Sequence, residues 1–153
     1  MPDSFLLEDE LATVIAGLNA VQARVGNRVR TGSLEEGLTL PAVTVVVDEE
    51  ELQPDLSEDS AFDDEGTGAL MKTRIAVLSV ARDHRTARLL SKAIAFNETK
   101  PRSGLHGYKG GHIDKATLDT EEVTPVPEAD GSDKYRWVVE ATYDVWYRVP
   151  AEE

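Results

Sequence analysis

The chain has 153 residues, 41% hydrophobic and 29% charged, with no cysteine and a formal net charge of −13. That length fits a single domain over 1–153 whose core needs no staple, and the missing cysteines exclude disulfides, thiolate-held zinc and thiol nucleophiles. The acidic balance excludes a surface that grips nucleic acid by neutralising phosphates, and the opening MPDSFLLEDELATV has neither a basic n-region nor a long apolar run, so a soluble, intracellularly made protein without a membrane span is expected.

Leu7, Leu11, Val14, Leu18, Val21 and Val25 recur at helical spacing and predict one amphipathic helix of about six turns from Ser4 to Val25. Asp3 or Ser4 suits its cap, Glu8, Asp9 and Glu10 suit its positive end, and Gly26 suits its stop. LTLPAVTVVVDEEE then predicts a strand in which Val43, Val45 and Val47 alternate. ALMKTRIAVLSVAR predicts a second, apolar on both faces from Ile75 to Val80 and therefore central. The 17 residues from Leu52 to Gly68 show no periodicity and read as a long loop held in place by a neighbour. Ala87, Leu90, Ala93, Ile94 and Phe96 predict a second helix over His84–Asn97, capped by Asp83 and ended by Pro101. RSGLHGYKGGH reads as a glycine-rich loop with freedom for positive φ, His112 to Val126 as an irregular strand closed by Pro125 and Pro127, and EADGSDK as a turn. The fold class expected is α+β: a mostly antiparallel sheet of about four strands with two helices packed on it, in the order α-β-β-α-β-β.

The last element poses a problem of size. KYRWVVEATYDVWYRV puts Tyr135, Trp137, Val139, Ala141, Tyr143, Val145, Tyr147 and Val149 on alternate places, which predicts one half-buried strand. Such a strand spans about 50 Å, whereas a sphere of this mass is about 40 Å across. Either it bends, or part of it lies against another chain. Trp146 is the apolar exception on its polar face, which fits cross-strand packing within one subunit or an anchor at a protein interface.

Chemical motifs are sparse. Asp55, Ser57 and Asp59 have the spacing of calcium ligands, but Ser60 stands where a sharp turn needs Gly and Gly66 where a bidentate Glu is required. GLHGYKGGH contains neither GxGxxG nor a Walker sequence. His84, His106 and His112 form no metal-binding pair, and no GxSxG elbow is present. Pro54-Asp55 with Glu98 and Lys100 superficially matches a magnesium-dependent nuclease signature, although these residues fall in a loop and at a helix end instead of on adjacent strands. No catalytic residue, metal ligand or cofactor is therefore assigned, and no enzyme activity is expected.

The charge distribution says more. Asp48 to Glu65 carries ten acids and no base, whereas Ala69 to Ala116 carries ten bases and three acids. Patches of opposite sign on one subunit fit each other on different copies, which favours head-to-tail contact and closure into a ring. The candidate contact residues are Asp48, Glu49, Glu50, Glu51, Asp63, Asp64, Arg82, Arg85, Arg88, Lys109, Trp146 and Arg148, and the overlong final strand is expected to reach across the next subunit. The bland alternative is acids kept for solubility and bases scattered over helix and strand surfaces.

The order of an N-terminal amphipathic helix, LPAVTVVV, an acidic excursion, TRIAVLSVARDHRTARLLSKAI and a closing YRWVVEATYDVWYRV resembles the tail terminator, or tail-completion, proteins of long-tailed bacteriophages and related particles. The short marks are the Leu-Pro before the first strand and Asp83 with Ala87 at the start of the second helix. The resemblance, over Ser4 to Val149, implies an α+β subunit in a hexameric virion ring at the neck between tail and head. Such a ring caps the tail tube, stops its growth and joins it to the head-side connector, with DNA only as cargo passing through the lumen. Another head–tail connector, a cap of a secretion-system tube or sheath, and the nuclease are the alternatives.

Overall fold

The structure, a computed structural model, describes residues 6–26, 28–32, 40–54, 70–97, 104–127 and 135–148, with backbone alone at 48–54 and 70. Its elements in chain order are α1 (Leu7–Ala16), α2 (Asn19–Val25), β1 (Val29–Thr31), β2 (Ala42–Pro54), β3 (Leu70–Ala81), α3 (His84–Phe96), β4 (Ile113–Pro127) and β5 (Tyr135–Arg148). The class is α+β as expected, but the sheet is mixed and five-stranded, in the order β1-β2-β3-β5-β4, and carries three helices. The sequence predicts four strands and two helices, and both differences have local causes.

The single N-terminal helix is divided at Gly17. Glycine holds a helix weakly, and Leu18 beyond it is extended at ψ 125. The break lets Leu7, Leu11 and Ile15 of α1 and Leu18, Val21 and Val25 beyond it all reach the core, so Ile15 takes the buried place that periodicity assigns to Val14. The helix starts after Leu6, without a side-chain cap; Asp3 and Ser4 lie outside the described residues. Glu8, Asp9 and Glu10 fill the first turn, and Gly26 ends α2 at φ 60.

The extra strand is β1, three residues that pair parallel to β2 from Val29↔Val43 to Thr31↔Val45. Arg28 fixes the approach by donating from Nε to the Pro41 carbonyl at 2.9 Å. β2 outruns its predicted end: Gln53 and Pro54 pair with Lys72 and Met71 after two register shifts. Leu52, Gln53 and Pro54 are thus strand and not loop, because an available partner backbone overrides weak propensity.

β5 answers the question of length. It pairs with β3 from Ala81↔Trp137 to Leu70↔Arg148 and with β4 from Pro127↔Tyr135 to Ile113↔Tyr147. Both its edges are filled by its own sheet, which corrects the expectation that its backbone extends onto a neighbouring subunit. The length is accommodated because β2, β3 and β4, at 13, 12 and 15 residues, come close to or exceed β5 at 14. β4 is an edge. Its Pro125 and Pro127, which have no N–H, stand opposite Trp137 and Tyr135 at places where the strand's nitrogens point away from β5.

All three helices lie on one face of the sheet. Val43 and Val45, Ile75 and Val77, and Ala141, Tyr143, Val145 and Tyr147 form a core with Leu7, Leu11, Ile15, Val21, Val25, Leu90 and Ile94 from the helices. A smaller cluster under the start of α3 joins Ala81, Ala87 and Val139 with Val123 and Trp137. The predicted cap of α3 is present: Asp83 accepts from the Thr86 N–H at 3.1 Å, and its bonds to the Thr86 side chain and then to this N–H hold its carboxyl below the usual range.

Gly104 to His112 is a docked segment and not a free loop. Leu105 and His106 donate their N–H groups to the Ile94 and Ala95 carbonyls at 2.8 and 3.0 Å, closing the end of α3. A Cβ at Gly104 would stand 2.4 Å from the Ala95 oxygen, so only glycine allows this approach. Glu10 of α1 receives the His112 N–H at 2.9 Å and faces its Nδ1 at 2.7 Å, tying the segment to the first helix.

Candidate assembly surface

The second face of the sheet is the candidate site, because among the described residues no helix covers it. Register decides its content, since residues directly opposite one another share a face. Four consecutive rows carry its polar groups, beginning near the end where β5 finishes. In the first row Trp146 lies between Lys72 of β3 and Lys115 of β4. Their ammonium nitrogens stand 5.1 and 5.5 Å from its ring centroid, within cation–π reach. In the second, Arg74 reaches Asp144 at 3.5 Å and Asp119, in the β4 bulge, at 3.2 Å. The third row places Ala76, Thr142 and Thr120 together, and the two threonine hydroxyls are bonded to each other. In the fourth row Leu78, Glu140 and Glu122 follow one another, so two carboxylates are direct cross-strand neighbours. No described cation pairs with either glutamate. The face is therefore basic and aromatic at one end and acidic in its middle, with Ala76, Leu78, Val80 and Val138 as its apolar floor.

The other charged surface is the outer side of α3. Ala87, Leu90, Ser91, Ala93, Ile94 and Ala95 turn inward. Arg85, Arg88 and Lys92 are exposed, as is Phe96 at 43%. Arg88 lies 3.8 Å from Glu121, whose other oxygen accepts from Ser91 Oγ at 2.8 Å. No described acid forms an ion pair with Arg85 or Lys92.

Of the residues singled out in the sequence, Asp48, Glu49, Glu50 and Glu51 lie on the outer half of β2, where Glu49 is opposite Arg74 in register. The acidic run therefore begins beside the bases of β3. Asp63 and Asp64 lie outside the described residues, as do Asp55, Ser57, Asp59, Glu98 and Lys100. Arg82, Arg85 and Arg88 come together around the start of α3, Trp146 and Arg148 share the open face, and Lys109 is exposed in the segment before β4. The three histidines are apart: His84 stands edge-on to Trp137, His106 Nδ1 accepts the Leu118 N–H at 3.0 Å, and His112 holds Glu10. Lys72, Lys115, Glu122 and Glu140 are not among the sequence candidates. The parity of Lys72 in MKTRIAV and of Glu140 in β5 was the available signal, but the partners across the sheet require the register.

No family model matches the sequence, and a search of curated proteins finds no match. Among solved structures the chain is similar to one described as "Virion of native gene transfer agent (GTA) particle", with 17% identity and a TM-score of 0.55. That likeness is one of fold, and it covers 93% of this chain and 94% of the other.

Proposed function

We propose that this chain is a structural virion protein, and more narrowly a tail terminator: its copies close into a ring, six in the family it resembles, that caps the tail tube and joins it to the head-side connector. The observation that carries the reading is the fold likeness to a virion chain over nearly the full length of both. A sheet with one face left open by the described residues supports it, since such a face is a ready protein contact. The mechanism is occupancy. A ring whose one side fits the last tube ring ends growth by filling the place where the next would add, and no bond is made or broken. Acids facing the lumen would repel phosphates and let DNA pass.

The test is particle mass and tube length. A closed multi-subunit particle and shorter, uniform tubes in its presence are the expected results. A subunit that stays monomeric at high concentration and leaves tube length unchanged overturns the reading. Binding to the head side without the tube would assign the chain to another neck connector. Reversing Glu49, Glu50 and Glu51 to Lys weakens the ring, and added salt imitates the effect.

A further inference from the structure

We propose that the open sheet face of one subunit receives the outer side of α3 of the next, with Arg85 and Arg88 seated on Glu122 and Glu140. This rests on the ring reading above and specifies its subunit contact.

Three observations carry it. Glu122 and Glu140 are directly opposite on adjacent strands, an arrangement that destabilises an isolated sheet, and no described cation offsets it. Their β-carbons are about 5 Å apart, and Arg85 and Arg88, one turn apart on a helix, have about the same separation. An apolar complement is present on both sides: half-buried Leu78 stands beside Glu140, and Phe96 is exposed on the same helix as the arginines. Burying an apolar sheet face under a helix is the ordinary way to complete a layer. Here the layer comes from another copy. Because the face and the helix lie on opposite sides of one subunit, the contact is head-to-tail and propagates around a circle.

The experiment uses two charge-reversed full-length proteins, Glu122→Lys with Glu140→Lys and Arg85→Glu with Arg88→Glu, compared with the native chain by analytical ultracentrifugation. Each alone should associate more weakly, on the order of thirty-fold or more, and an equimolar mixture should recover rings of alternating subunits. Recovery is the decisive result, because a contact of like face on like face would not give it. If both reversed proteins assemble as the native one does, or the mixture stays dissociated, this contact is wrong while the ring reading stands. A native chain that never assembles, with or without tube, defeats both. Should a reversed pair fail to fold, Glu122→Gln with Glu140→Gln replaces it. That protein should melt no lower than the native subunit, having lost a repulsion, and still assemble more weakly; unchanged assembly overturns the contact.

Discussion

The two faces of the sheet are made by alternate residues of the same strands, yet only one is sealed by the described helices. On the sealed face, Ile75, Tyr143 and Val145 have no exposure, and helical leucines and isoleucines fill the space above them. On the other, neighbours one residue away include Arg74, Asp144 and Trp146, arranged in rows of charge and stacking, with Ala76, Leu78, Val80 and Val138 between and below them. The contrast teaches that this chain places its large apolar side chains where they hold the subunit together and its charged rows on the face that the described helices leave uncovered.

The sharpest way to break that contrast is to truncate two apolar residues of opposite parity in β3. Ile75→Ala opens a cavity under the helices and should cost about 3 kcal/mol. Leu78→Ala, on the open face, should cost the free subunit about 1 kcal/mol or less. Urea unfolding of both reads the difference, and equal losses would mean that the open face is as firmly packed as the other. Next in size is Gly104→Ala: its Cβ would enter the Ala95 backbone, lift the segment from the end of α3, and cost about 2 kcal/mol in the same assay.

A third change sharpens the picture of the sealed face by improving it. The Tyr143 hydroxyl is buried and has no hydrogen-bond partner among the described residues, and burial, then the Glu121 charge, push its pKa up. Tyr143→Phe should gain about 1 kcal/mol. The phenol's folded pKa is raised, so the native protein keeps its full stability below the ordinary value of 10.0 and loses part of it as pH rises toward the folded value. The Phe variant should not show that loss in alkaline melts. The smallest effect belongs to Asp83→Asn. The carboxyl is depressed by its bonds to Thr86, so its stabilisation is present above the ordinary carboxyl range and fades as pH falls through the folded value. The Asn variant should melt slightly lower at neutral pH and depend less on pH in acid.

The strongest periodic signals carried the fold. Alternation located β5 and the buried middle of β3, and the Asp83 cap located α3, because each depends on neighbours in the chain. What depended on distant partners stayed hidden. β1 is three residues that count as a strand only because Val43 to Val45 lie beside them. Leu52 to Pro54 of β2 read as loop until Lys72 and Met71 are placed opposite Gln53 and Pro54. Gly17 was visible, but whether a glycine interrupts a helix is settled by the packing on either side of it. For the surface, Trp146 was conspicuous as an exception to alternation, whereas its two lysines and the Glu122–Glu140 neighbours arise from register across strands far apart in sequence.

The prolines of β4 have a consequence for growth. A foreign strand approaching that border would find no donor at Pro125 or at Pro127, the places where an incoming carbonyl would seek one. Stacking into ribbons is thereby discouraged along that border. A border of this kind makes the subunit a poor seed for fibrils of its own.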